Sequence, residues 1–137
     1  MSLSTLGAVL KFALELETTA RDFYEKNVSI YSFKNLLLQY DKRIKKIKKI
    51  RRENTTEMIL EPIIDFYSES FEFTFLKVEK TDENKIEYIG RMIEETLKKY
   101  YEEAAKKISF LNEVSYKFDE LALEHKNNSI SMKLGKK

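Results

Sequence analysis

Glu17 interrupts a helix face that is otherwise apolar or small. Leu6, Leu10, Ala13, Glu17, Ala20, Tyr24 and Asn27 recur at steps of four and three, the spacing of one face of an α-helix. The pattern points a carboxylate at whatever this helix packs against. A second segment repeats it. "ETTARDFYEKN" from Glu17 and "EETLKKYYEEA" from Glu94 superpose at a shift of 77 residues, matching Glu17 with Glu94, Tyr24 with Tyr101 and Glu25 with Glu102. Two inward-facing carboxylates need partners or protons, because an isolated charge is costly to bury. The partner can be a metal ion or a basic side chain, and that choice separates a metal enzyme from a metal-free core.

Composition narrows the chemistry. There is no cysteine, so disulfides and thiolate metal sites are excluded. The single histidine, His125, excludes a multi-histidine zinc site. There is no Ser-His-Asp or Cys-His set and no glycine-rich phosphate loop. No apolar run approaches the roughly 20 residues that a membrane span needs. The first residues lack the basic start of a secretory signal, and Lys11, Glu15 and Glu17 interrupt the apolar stretch behind them. A soluble, cytoplasmic protein without membrane contact is expected.

The elements that must position these residues follow from periodicity. At 137 residues the chain is long enough for one domain with a real core. Three glycines and one proline leave little material for turns and favour a few long helices. Helix A spans 5–28, with Ser4 as its expected N-cap. Phe33, Leu36, Leu37, Tyr40, Ile44, Ile47 and Ile50 form the stripe of helix B, 33–53. A crossover follows over 54–82. In it, Asn54 with Glu57 resembles a capping box, Pro62 bends or ends what precedes it, and "FEFTFLKV" (71–78) alternates with the period of an extended segment laid along the helices. Asp82 opens helix C, 83–108. Helix D runs over 112–130, and 131–137 is a frayed tail. Two short connections and one long one make a four-helix bundle of two antiparallel hairpins joined by a crossover. The second helices also match without gaps, "FKNLLLQYDKRI" from Phe33 with "FDELALEHKNNS" from Phe118, so the hairpin itself is repeated.

A glutamate seven residues before a tyrosine, followed by a helix opening on Phe with Leu three residues later, occurs twice. This pattern resembles the ferritin-like superfamily, in particular its rubrerythrin-like members, over about 6–53 and 83–130. The resemblance implies an all-α, ferritin-like four-helix bundle with a central di-iron site, to which each half gives one Glu from its first helix and a Glu-x-x-His pair from its second. Glu17 and Glu94 fall on the first-helix glutamates. In the gapless register Tyr40 and Arg43 stand where the first half would have Glu and His, and His125 and Asn128 where the second half would. A one-residue slide offers Asp41 with Ile44, or Glu124 with Asn127. Neither register restores a Glu-x-x-His pair.

Two readings of the centre follow. In one, Glu17, Glu94 and His125, with Asp41 or Glu124, form a remnant site for one metal, since two carboxylates and an imidazole can hold iron or zinc. In the other, which is preferred, Arg43, Tyr40, His125 and Asn128 form a polar cluster in place of metal, because a guanidinium there repels a cation and can pair with either glutamate. The expected function is thus a non-catalytic ferritin-like helical scaffold, without cofactor. The alternative is an iron-binding oxidase, peroxidase or storage protein.

A second alternative is nucleic-acid binding. Eight of the eleven residues from Lys42 to Arg52 are basic, leaving 17 basic and 23 acidic residues elsewhere. Such a run can bind phosphate backbones. However, Ile44, Ile47 and Ile50 make it an amphipathic helix whose basic face (Lys42, Lys45, Lys46, Lys48, Lys49, Arg51 and Arg52) is solvated or paired with acids such as Glu102 and Glu103. No aromatics are interleaved for base stacking, so nucleic acid is not the expected partner. A homodimer, the commonest closed assembly, or another protein partner is expected to use apolar surface of the crossover.

Overall fold

The computed structural model describes residues 1–29, 31–54, 63–77 and 83–135. Four long helices make up most of it: α1 (Leu6–Lys26), α2 (Tyr31–Glu53), α3 (Glu83–Lys107) and α4 (Asn112–Gly135). The fold is an all-α four-helix bundle in which α1 packs closely on α2 and α3 on α4. No helix among the described residues is long and apolar enough to cross a membrane.

Side-chain contacts fix the helix directions. Tyr24 near the end of α1 meets Phe33 near the start of α2, and Arg43 further along α2 reaches back to Glu17. These helices are therefore antiparallel. Tyr101 of α3 meets Phe118 of α4, and Glu94 meets His125, so the second pair is antiparallel too. Across the pairs, Tyr24 bonds to Glu94 while Phe12 packs on Tyr100. The end of α2 and the start of α3 consequently lie at opposite ends of the bundle. The long connection must traverse its length, as the short–long–short spacing implied.

Several local features differ from the sequence reading. Thr5, not Ser4, caps α1; its Oγ1 accepts the Ala8 N–H at 3.0 Å. At the end of α2 the Asn54 side-chain amide donates to the Ile50 carbonyl at 2.8 Å; the turn expected after it lies outside the described residues. Glu57, Pro62, Val78 and Asp82 lie outside the described residues. The stretch expected to be extended begins on the last residue of one 3-10 turn, Ser68–Phe71, and contains a second, Thr74–Lys77. With no neighbouring strand among the described residues, an extended segment would leave its backbone groups unpaired. Short turns satisfy some of them locally, as in Ser70 N–H to Tyr67 O and Leu76 N–H to Phe73 O. They also bring Phe71 edge-on to Tyr100 at 5.2 Å. Helix α4 continues through 131–135 of the tail expected to fray, and half-buried Met132 packs on the core.

Residues 63–68 of the crossover seal one end. Leu3 N–H donates to Phe66 O at 2.8 Å and Ile63 N–H to Ser4 O at 3.1 Å. These bonds lay residues 63–68 along the N-terminal segment, and Phe66 stacks on Tyr100 at 5.5 Å. At the other end α3 passes close to the aromatic cluster of the first hairpin. A Cβ on Gly90 would lie 3.0 Å from Phe33 Cζ and 3.3 Å from Tyr24 Cε1. Gly90→Val is therefore expected to overpack this contact and lower the unfolding free energy by about 2–3 kcal/mol, measurable by urea denaturation. An unchanged midpoint would mean that the helices are not in this close contact.

Candidate functional site

Each helix gives the centre of the bundle at least one buried polar side chain. Glu17 and Tyr24 come from α1, Tyr40 and Arg43 from α2, Glu94 and Tyr101 from α3, and His125 and Asn128 from α4. The i, i+3 spacing of Tyr40 with Arg43, and of His125 with Asn128, puts each pair on one face. The gapless register is thus the one that faces the core.

All four carboxylate oxygens of the two glutamates accept hydrogen bonds. Glu17 Oε1 accepts from Arg43 Nε at 3.0 Å. Glu17 Oε2 accepts from Tyr101 OH at 2.7 Å and from His125 Nε2 at 2.9 Å. Glu94 Oε1 accepts from His125 Nδ1 at 2.6 Å and Asn128 Nδ2 at 3.1 Å. Glu94 Oε2 accepts from Tyr24 OH at 2.8 Å and from the Tyr40 hydroxyl. The tyrosines exchange across the repeat: Tyr24 of the first hairpin serves Glu94 of the second, and Tyr101 of the second serves Glu17 of the first.

The protonation states follow from these contacts. Burial alone would raise the glutamate pKa values and lower that of His125, but the opposite charges prevail. His125 and Arg43 hold Glu17 down at about 2 and Glu94 below the ordinary 4.5. Glu17 and Glu94 together lift His125 above its ordinary 6.5. With a carboxylate against each ring nitrogen, His125 is an imidazolium donating from both. Burial would likewise depress Arg43, but Glu17 holds it charged. Burial beside a carboxylate keeps Tyr24, Tyr40 and Tyr101 as neutral donors. Two anions thus face two cations. The Arg43 guanidinium also lies over the Tyr40 ring at 4.2 Å, and the Tyr101 ring stacks on His125 at 5.7 Å.

The remaining sequence candidates lie elsewhere. Asp41 sits on the surface, accepting from Arg21 Nε at 2.6 Å. Glu124 is at the rim, where its Oε1 accepts from Arg43 Nη1 at 3.1 Å. Gln39 is a member that sequence reasoning missed; its Oε1 accepts from Asn128 at 2.8 Å and from Arg43 at 3.4 Å. Its signal was its place opposite Glu124 in the gapless repeat. On the basic face Lys42, Lys45, Lys48, Lys49, Arg51 and Arg52 are exposed and Lys46 is half-buried. The anticipated acid Glu102 pairs instead with Lys98 of its own helix at 3.8 Å.

Among the described residues no group of three or more His, Asp and Glu is arranged to hold a metal ion. The donors of the centre do not suit iron: each oxygen of its carboxylates already accepts a protein hydrogen bond, its imidazole has a carboxylate against each nitrogen, and a guanidinium lies against it. No family model, curated protein or solved structure matches the chain.

The ion cluster makes stability depend on pH with a definite sign. His125 has the higher pKa when folded, so its contribution is complete below 6.5 and is lost as pH climbs through the raised folded value. Glu17 and Glu94 have lower pKa values when folded. Their contribution is complete above 4.5 and is lost as pH falls, for Glu17 toward about 2. The melting temperature, followed by calorimetry, is expected to be highest between these limits and to decline on both sides. A melting temperature still rising from pH 7 to 9 would contradict the imidazolium.

Removing one charge should cost more than removing a pair. Arg43→Ala leaves Glu17 facing one cation fewer and is expected to cost about 3–5 kcal/mol. Arg43→Met combined with Glu17→Gln should recover much of that loss in chemical denaturation. Additive losses in the double variant would show that the two side chains are not coupled.

Proposed function

We propose that this chain is a non-catalytic helical scaffold of the ferritin-like kind, in which a histidine–arginine–carboxylate lock takes the place of a di-iron centre. The observation that carries this reading is the engagement of every carboxylate oxygen of Glu17 and Glu94 by six protein side chains: Tyr24, Tyr40, Arg43, Tyr101, His125 and Asn128. A metal ion would have to displace these donors and add positive charge beside Arg43. The duplicated hairpin and its swapped tyrosines support the family likeness, and the engagement of both carboxylates and both imidazole nitrogens leaves no acid, base or nucleophile of the centre free to act on a substrate. The test is metal content. The protein is loaded anaerobically with Fe(II), exposed to air, desalted and analysed by plasma mass spectrometry, with Glu17→Gln/Glu94→Gln alongside. Iron far below one per chain, equal in both proteins, is expected. Near-stoichiometric iron that the variant loses would restore the oxidase or storage reading.

A scaffold acts through its surface, and α4 offers one for a second copy of the chain. Tyr116, Leu123 and Ile130 are 65%, 55% and 45% exposed. Their spacing of seven places them in one stripe along the outer face. Two such helices set antiparallel about a twofold axis at Leu123 bring Tyr116 opposite Ile130 of the second copy. The same geometry puts exposed Asp119 opposite exposed Lys126 of the second copy, so the flanks are self-complementary in charge. Of the described crossover residues, Ile63, Phe66 and Phe71 are spent on the core, while Ile64 and Tyr67 are exposed. Sedimentation equilibrium is expected to show a dimer that Leu123→Glu converts to monomer. A wild-type monomer at high concentration would rule this surface out.

A further inference from the structure

The basic run of α2 is not a flat face. Lys42, Lys45, Lys46 and Lys49 share one side of the helix at i, i+3, i+4 and i+7. They line a groove of about 450 Å³ to which buried Arg43 and, from α4, Glu124 also contribute. That size falls among clefts for small ligands. Among the described residues, Lys46 alone of the four lysines meets a carboxylate, Glu124 at 3.9 Å. Four ammonium groups and a guanidinium thus surround one acidic side chain.

Arg43 carries a spare donor. Its Nε is committed to Glu17, and its Nη1 donates to Glu124 and Gln39. Its Nη2 is buried with no hydrogen-bond partner. An unmade bond at a buried charged donor is costly. A guanidinium fork is built to grip a carboxylate or phosphate with two parallel bonds, and Glu124 takes only one prong. Glu124 is also 42% exposed, so it can swing into solvent without being buried elsewhere.

We infer that the groove between α2 and α4 binds a small anion carrying two or more phosphate groups. One phosphate replaces Glu124 on Nη1 and Nη2 of Arg43, while the lysines hold the other. The charge of the groove calls for a multivalent anion, and phosphate is the group that both Lys and Arg bind well. Concavity and the absence of interleaved aromatics favour a small ligand over a polynucleotide, whose bases would need stacking partners. The bond of Arg43 Nε to Glu17 is kept, so the central cluster stays closed when the groove fills. This inference does not depend on the scaffold reading of the centre.

The test is isothermal titration of the full chain with inorganic pyrophosphate and, separately, tripolyphosphate. Fluorescence anisotropy with a labelled duplex DNA runs in parallel. The variants are Lys45→Glu/Lys49→Glu and Glu124→Gln, both at exposed or rim positions that should leave the fold intact, as circular dichroism would verify. Expected is saturable one-to-one binding that the lysine reversal weakens by roughly tenfold or more and that Glu124→Gln tightens. Heats that do not saturate, or binding indifferent to the lysine reversal, would overturn the inference. Binding of duplex DNA with no response to either polyphosphate would also overturn it, assigning the basic face to a polymer.

Discussion

Two carboxylates are taken out of water at the centre of four helices, and the rest of the structure is arranged around neutralising them. Glu17 and Glu94 are fully buried. Burying a carboxylate without a partner costs several kcal/mol. The compensation comes from His125, which spans both, and Arg43, which holds one. Three tyrosine hydroxyls and one amide take the remaining acceptor sites. Such clusters seldom stabilise a fold more than an apolar core of the same volume would. Their value is selective: only one rotational setting of α2 and α4 presents Tyr40 with Arg43, and His125 with Asn128, to the two carboxylates.

The two hairpins are alike in their first helices and unlike in their second. Each first helix gives a glutamate and a tyrosine that bonds to the glutamate of the other half. The second helices differ. The equivalent positions hold Tyr40 and His125, then Arg43 and Asn128, so each half supplies one cation from a different position. The approximate twofold symmetry of the glutamates is satisfied by an asymmetric set of donors. Local electrostatics explains why the arrangement tolerates this: the interior needs two positive charges near two negative ones, and each half provides one.

Much of this was legible in the sequence, for identifiable reasons. Helix existence and order followed from long stretches of 3.6-residue periodicity, and the two hairpins from their short connections. The inward direction of Glu17 followed from Ala13 and Ala20 on its face, and a pairing of Arg43 with one of the two glutamates from charge; that the partner is Glu17 is settled only by the packing of α1 on α2. The register of α2 and α4 stayed open, because Asp41 and Glu124 sit one residue from the core positions and are as capable of ligation as their neighbours. The outcome rests on packing: Phe33, Leu36 and Ile47 on α2 and Phe118, Leu121 and Ala122 on α4 are buried together. The 3-10 turns of the crossover were illegible because a period of two says only that alternate side chains differ, not that a strand is available to pair with. The groove beside Arg43 depends on how closely α2 and α4 approach, which no single helix encodes.

His125 decides the account, and it is the only histidine in the chain. Long-range nitrogen–proton correlation spectra of the uniformly nitrogen-15-labelled protein at pH 7.5 report both of its ring nitrogens without ambiguity. Both nitrogens should carry protons, with shifts of an imidazolium, although the pH lies above the ordinary pKa of 6.5. A neutral ring with one unprotonated nitrogen would contradict a cation held between Glu17 and Glu94, and would reopen that nitrogen as a ligand.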